Sequence, residues 1–291
     1  MSLIERTRKI LLTMQKGEIT EYYIYSKIAS FVKDQKNHDI LIKIGEEEKV
    51  HAGIWMNLTG VEVKPDTLRI FFFTILARIF GYTFALKLME KGEDNASSLY
   101  EQIAGEVSDA KKIAQDEQRH EQQLLGMLDE ERLQYVGSMV LGLSDALVEL
   151  TGTLAGLTFA LQDNRLVALS GLITGISATL SMASSEYLSA RSDGHPNPLK
   201  SCLYTGSIYL LTVAFLVLPY LLLPRTAFMG ALVLLLSIVV IIIFIFTYYI
   251  SVAKDLPFGK RFIEMAGISL VVAAVSFGIG LLVKHFLGIE I

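Results

Sequence analysis

Two short stretches of this chain place a glutamate and a histidine three positions apart. They are Glu48 with His51 and Glu117 with His120. Residues i and i+3 share a face of an α-helix, so each pair would point its carboxylate and its imidazole in one direction. Carboxylates and imidazoles are ligands that suit divalent iron and manganese. The two pairs therefore predict two helices that present metal ligands to a common point.

The two pairs belong to a longer internal repeat. Glu18 and Tyr25 recur as Glu93 and Tyr100 at an offset of 75, and the Glu-x-x-His pairs recur at an offset of 69. This pattern indicates two copies of a helical hairpin, which in a four-helix bundle would gather six ligands: Glu18, Glu48, His51, Glu93, Glu117 and His120. Buried acids repel one another or take up protons unless cations lie between them. Two divalent ions would satisfy the set.

Residues 10–130 resemble the ferritin-like superfamily, and the rubrerythrin branch most closely, because these ligands come in order on the repeat. The resemblance implies a four-helix bundle with a di-iron centre and a long crossover at 58–80. It also implies that Tyr25 and Tyr100 hydrogen-bond ligand carboxylates. The four-cysteine module of rubrerythrins is missing, since the chain has one cysteine, Cys202. Other acids nearby are interpreted as solvated helix faces or extra metal contacts: Glu21, Glu46, Glu47, Glu90 and Asp116.

Charge is distributed unevenly along the 291 residues. Residues 1–132 hold 22 of the 30 acids and 18 of the 26 bases, which leaves 8 of each for residues 133–291. This asymmetry predicts a polar domain at 1–132 and a membrane domain at 133–291. The net charge of −4 argues against a nucleic-acid partner. A single cysteine excludes an internal disulfide and a Cys-x-x-Cys redox motif.

The membrane prediction rests on uncharged or nearly uncharged stretches, since about 20 apolar residues cross a hydrocarbon core of ~30 Å. The predicted spans are 136–161, 166–185, 202–223, 227–250 and 266–283. An odd number of spans puts the chain ends on opposite sides. The loops at 191–200 and 254–261 carry five Lys or Arg residues, against three on the other side. This bias predicts a cytoplasmic N-terminal domain and a C-terminus on the opposite side.

One further apolar segment, 66–89, is ambiguous. It is apolar enough to contact lipid, but it contains Arg69, Arg78 and Lys87. A membrane-surface or bundle-packing helix is favoured over a sixth span.

Polar or metal-binding side chains lie within the first predicted span and at the end of the second. Asp145 and Glu149 are four apart in the first span, and Met182 and Glu186 are four apart in the second. Ionisable groups within a span are costly and usually functional, and a thioether beside carboxylates suits Fe²⁺ or Mn²⁺. These four residues are therefore predicted to line a transport path.

The same stretches, "GLSDA" at 142–146 and "SMASSEY" at 181–187, resemble the signatures of the vacuolar iron transporter family. The resemblance implies a homodimer with a metal path between subunits, lined by Asp145 and Met182. It also implies export of divalent metal from the cytoplasm in exchange for protons. Ala146 and Glu149 depart from the family pattern, which often has glycine and a small residue there.

The whole chain resembles the all-α fusion of a ferritin-like domain to an iron-transporter domain known as membrane-bound ferritin. The leading hypothesis is a membrane exporter of Fe²⁺ or Mn²⁺ whose cytoplasmic bundle collects or senses the metal. The alternative is a membrane-anchored di-iron oxidoreductase with ferroxidase or peroxidase activity. Mid-span acids favour the transporter, because a passive anchor has no use for them.

Overall fold

The computed structural model describes residues 5–91, 96–126 and 131–287. Within those ranges every regular element is a helix, which confirms the all-α prediction. The chain divides into two compact units, Met1–Leu133 and Gln134–Ile291.

The first unit begins with a hairpin of α1 (Glu5–Ala29) and α2 (Gln35–Thr59). Asp34 starts α2 by accepting a hydrogen bond from the backbone N–H of Asn37. Gly60 ends it in the left-handed conformation at φ 67°, where a side chain would be strained.

Four more helices complete the described part of this unit: α3 (Thr67–Phe80), α4 (Tyr82–Lys91), α5 (Ala96–Ile103) and α6 (Asp109–Gly126). A short helix, α7 (Glu131–Gln134), follows at the boundary between the units. The crossover predicted at 58–80 therefore contains a helix of its own, because Ile70, Phe73 and Ala77 give α3 an apolar face that packs on α1 and α4.

Two apolar clusters form the core of the first unit. One surrounds Ile24 and Ile44, and the other surrounds Met14, Trp55 and Ile113. On α1, α2 and α6 the polar positions of the repeat fall between the residues of these clusters. These polar side chains are buried because apolar side chains pack on both sides of them.

The second unit contains α8 (Val136–Leu161), α9 (Asn164–Ser192), α10 (Pro198–Leu222), α11 (Phe228–Lys254) and α12 (Phe258–Leu287). Among the described residues, these five are the helices long and apolar enough to cross a membrane. The five predicted spans thus coincide with five candidate membrane helices, which extend beyond the uncharged stretches.

Helix α8 is the centre of the second unit and packs against α9, α10, α11 and α12. The backbones of α10 and α12 approach the backbone of α8 closely at glycine positions. A Cβ added at Gly142 would lie 2.6 Å from the carbonyl oxygen of Thr205 on α10. One added at Gly280 on α12 would lie 2.6 Å from the carbonyl oxygen of Gly156. Small residues let membrane helices pack backbone against backbone.

Candidate metal centre and transport site

The middle of the first unit holds a compact group of acids and one imidazole. Ligand atoms of Glu18, Glu48, His51 and Glu117 all lie within 4.8 Å of one another. Glu18, Glu48 and His51 are 5%, 1% and 3% exposed. Three helices thus bring four of the six predicted ligands together.

His120 joins this group from α6. Its Nδ1 lies 2.8 Å from Glu48 Oε1, and its ring stacks 5.9 Å from the ring of His51. Five of the six predicted residues are therefore neighbours. The sixth, Glu93, lies outside the described residues.

The two repeated tyrosines each donate a hydrogen bond to a carboxylate of the first unit. The Tyr100 hydroxyl donates to Glu18 Oε1 at 2.9 Å, and the Tyr25 hydroxyl donates to Glu90 Oε1 at 3.2 Å. Trp55 also donates to Glu18 Oε1, at 3.2 Å. Trp55 is fully buried in the apolar core of the unit, and this hydrogen bond gives it a polar role as well.

For Glu90, the structure favours the second of its two interpretations, an extra contact near the cluster, over a solvated helix face. Glu90 is largely buried, and its pKa is raised to about 7 by burial, with a further contribution from the charge of Glu117. It accepts from Tyr25 as Glu18 accepts from Tyr100, so it occupies the place equivalent to Glu18 in the second repeat. The repeat offset did not reveal this, because it aligned Glu18 with Glu93.

A second layer of acids surrounds the histidines. Glu47 Oε2 lies 2.5 Å from His120 Nε2, and Asp116 Oδ2 lies 3.5 Å from His51 Nε2. Arg119 connects these two acids, at 2.9 Å from Glu47 and 2.8 Å from Asp116. Glu47 and Asp116 stand immediately before Glu48 and Glu117, so this layer follows the repeat too.

A surface cavity of about 310 Å³ opens beside this layer. Glu47, His51, Asp116 and Arg119 line it together with apolar side chains of α2 and α6. It gives solvent and small ions a route to the outer side of His51.

The acids and histidines of the cluster shift one another's pKa values. Burial alone would lower the pKa of His51, but contacts with Glu117, Glu18 and Glu48 raise it to about 12. The pKa of His120 is raised to about 10, because Glu117 and Glu48 outweigh the effect of burial. Burial, opposed by the two histidines, holds the pKa of Glu48 well above its ordinary value.

One carboxylate oxygen of the cluster has no hydrogen-bond donor. Glu117 Oε1 is buried and accepts no hydrogen bond among the described residues, although His51 Nδ1 lies 3.2 Å away. A buried carboxylate oxygen without a donor is unfavourable, and a metal ion would remove that cost. The donor set suits iron or manganese. The residues whose ligand atoms lie close enough to hold a metal ion are Glu18, Glu48, His51 and Glu117. His120 contacts Glu48, and Glu90 interacts electrostatically with Glu117.

The predicted transport residues of the second unit lie on α8 and α9. Asp145 and Glu149 occupy the middle of α8, with Asp145 half-buried and Glu149 exposed. Met182 and Glu186 lie near the C-terminal end of α9, and Met182 packs against the core of the unit.

Two of these acids have polar partners. The Tyr209 hydroxyl on α10 donates to Glu149 Oε2 at 2.9 Å, and Ser138 Oγ on α8 donates to Glu186 Oε1 at 2.6 Å. Asp145 accepts no hydrogen bond from the described part of the chain, so its carboxylate is available to an ion. Tyr209 and Ser138 were not identified from the sequence, because a lone tyrosine or serine in an apolar span has no distinctive pattern.

Residues 136–195 match the VIT family, a family of membrane transporters of iron and manganese. The match covers α8 and α9 and includes Asp145, Glu149, Met182 and Glu186. No curated protein matches the chain. The resemblance to iron transporters is therefore confirmed for this segment, and the ferritin-like resemblance of the first unit stays a prediction.

Proposed function

We propose that this protein exports Fe²⁺ or Mn²⁺ from the cytoplasm through its second unit, in exchange for protons. The observation that carries the proposal is the VIT family match at 136–195, which contains mid-span acids. A carboxylate costs several kcal/mol in a hydrocarbon core unless it serves a pathway or a partner. Asp145, near the middle of α8 and half-buried, is the residue on which transport depends.

Three other side chains of α8 and α9 are of types that bind a divalent ion. Glu149 lies one helical turn further along α8 and is held by Tyr209. Met182 and Glu186 supply a thioether and a carboxylate on α9. The acids bind protons as well as metal, so a change of their protonation accompanies metal release. The exposure of Glu149 in a single chain agrees with a homodimer, in which a second copy shields it from lipid.

The first unit is proposed to hold a di-metal centre that collects or senses the transported ion. The centre would involve Glu18, Glu48, His51, Glu117, His120 and Glu90, with Glu93 as a predicted ligand outside the described residues. Metal bound there would supply charge to neutralise the buried acids. Oxidation before export is disfavoured, because Fe³⁺ is poorly soluble, so we assign the unit a delivery or sensing role.

The transport proposal is tested with the full chain in liposomes that contain a metal-quenched dye. Added Mn²⁺ or Fe²⁺ should quench the dye, and a pH-sensitive dye should report counterflow of protons. Asp145→Asn is expected to abolish both signals, whereas Asp193→Asn, in the exposed loop after α9, should retain them. Unchanged influx in Asp145→Asn would show that the proposed mechanism is wrong.

The second candidate is a membrane-anchored di-iron oxidoreductase, and the buried cluster of the first unit favours it. Oxygen or peroxide consumption on addition of Fe²⁺ distinguishes the two functions. If Glu48→Gln abolishes that consumption and Asp145→Asn has no effect on any activity, the oxidoreductase is the better description.

A further inference from the structure

Helix α3 exposes an apolar stripe. Its five large side chains recur with spacings of three and four residues, which places them on one face of the helix. They are Leu68 at 79% exposure, Phe71 at 63%, Phe72 at 53%, Ile75 at 39% and Ile79 at 61%. We call this set the α3 stripe.

The opposite face of α3 is already in use. Ile70, Phe73 and Ala77 are buried in the core of the first unit, at 6%, 9% and 3% exposure. The helix thus has two apolar faces, and packing within the unit covers one of them. With 14 residues, α3 is about 21 Å long, too short to cross a hydrocarbon core of ~30 Å.

Basic side chains border the α3 stripe. At 100° per residue, Arg69 and Arg78 lie on its two flanks. Arg69 lies over the ring of Phe73 at 5.7 Å, and Arg78 lies over the ring of Phe31 at 5.1 Å. Arginines beside an apolar face can extend toward anionic headgroups while their aliphatic parts stay on apolar surface. This arrangement is typical of helices that lie in a membrane interface.

The chain itself tethers the first unit to the candidate membrane spans of the second. The first unit ends at Leu133, and the first membrane-spanning helix begins at Val136. The tether keeps the first unit at a high effective concentration near the membrane surface. Stable membrane anchoring commonly combines two signals that are each weak alone. Because the spans already anchor the chain, weak insertion of one short helix is sufficient for stable contact.

We propose that the α3 stripe inserts into the headgroup and upper acyl region of the bilayer that the spans of the same chain occupy. Phe71, Phe72 and Ile75 form the centre of the inserted face, and Arg78 contacts anionic headgroups. Arg69 is paired with Glu21 at 3.6 Å and stays on the protein side of the interface. This contact would fix which face of the first unit points toward the membrane. The proposal does not depend on which ion the protein transports.

The test places an environment-sensitive fluorophore on the stripe of the full chain in liposomes. In a Cys202→Ser background, Phe72→Cys carries the label, Ile75→Cys is a second reporter, and Ile42→Cys on α2 is the control. All three positions are partly exposed, so the substitutions should not disturb folding. The liposomes include lipids with a nitroxide quencher near the headgroup, with or without anionic phosphatidylglycerol.

Labels at 72 and 75 should show blue-shifted emission and quenching by the nitroxide lipid, whereas the label at 42 should show neither. Quenching should weaken when the anionic lipid is omitted. Absence of quenching at 72 and 75, or equal quenching at 42, would overturn the proposal. Energy transfer between labels on two copies, without lipid quenching, would instead show that a second copy covers the stripe, and this too would overturn it.

Discussion

Single side chains decide which acids of the first unit can bind metal. Glu90 is the clearest case, because its partner Tyr25 is the repeat equivalent of Tyr100, the partner of Glu18. The offset between Glu18 and Glu90 is 72, whereas the offset between the tyrosines is 75. The difference of three residues therefore falls somewhere between Glu90 and Tyr100 in the sequence.

Substitution of Glu90 tests this assignment. Glu90→Gln should weaken metal binding by the first unit at least about tenfold, because it removes a buried charge while keeping the side-chain shape. Bound manganese per chain after equilibrium dialysis is the measurement, with Glu93→Gln as the matched variant. A larger loss in Glu93→Gln would favour the ligand assignment made from the repeat alone.

The raised pKa values of the histidines predict how metal binding depends on pH. Both values, about 12 for His51 and about 10 for His120, lie above the ordinary 6.5, so both rings are protonated at pH 7 in the metal-free protein. A metal ion must displace these protons, so binding should strengthen as pH rises from 6 to 8. Calorimetry with Mn²⁺ in buffers of different ionisation enthalpy should detect release of at least about two protons, because Glu48 and Glu90, whose pKa values are also raised, can add to those of the histidines.

The control for this experiment is Asp145→Asn, which removes the transport acid of the other unit, so the protons that this variant still releases come from the first unit. Binding heats that are independent of the buffer would contradict the prediction. The same pKa values bear on stability: the contribution of the charged histidines is complete below pH 6.5 and is lost as pH rises through about 10 to 12.

Among the helices, α8 does most to define the second unit. It carries Asp145 and Glu149, packs against four neighbours and approaches α10 and α12 through glycines. The close approach at Gly142 occurs within one turn of Asp145, so helix packing sets the position of this acid.

A methyl group at Gly142 should therefore destabilise the unit. In Gly142→Ala the new Cβ meets the backbone oxygen of Thr205 at 2.6 Å, and backbone cannot rotate away as a side chain can. A loss of roughly 1–3 kcal/mol is expected, visible as a lower midpoint of thermal unfolding in detergent. Gly137→Ala, on the same helix with nothing within 4 Å of its Cβ, is the control and should not lower the midpoint.

At the scale of the whole molecule, the two units have separate cores and separate groups of acids. Metal binding by the first unit and transport by the second should therefore be separable. Glu48→Gln should lose the bound metal and raise the ion concentration that gives half-maximal transport, with little change in the maximal rate. Asp145→Asn should abolish transport and keep the bound metal.

Liposome flux and metal content measured on the same preparations check this pair of variants. Loss of the maximal rate in Glu48→Gln would mean that the first unit is required for each transport cycle, and a purely collecting or sensing role would then be wrong.

The sequence by itself determined the helical class, the five spans and the mid-span acids, because apolar runs of about 20 residues and charges within them are local properties. It also identified five of the residues that meet in the first unit, since a repeat places equivalent residues on equivalent helix faces. Tertiary structure alone decided the place of Glu90, the hydrogen bonds of Trp55, Ser138 and Tyr209, and the exposed face of α3. These depend on how helices distant in sequence pack together, and helical spacing carries no information about that.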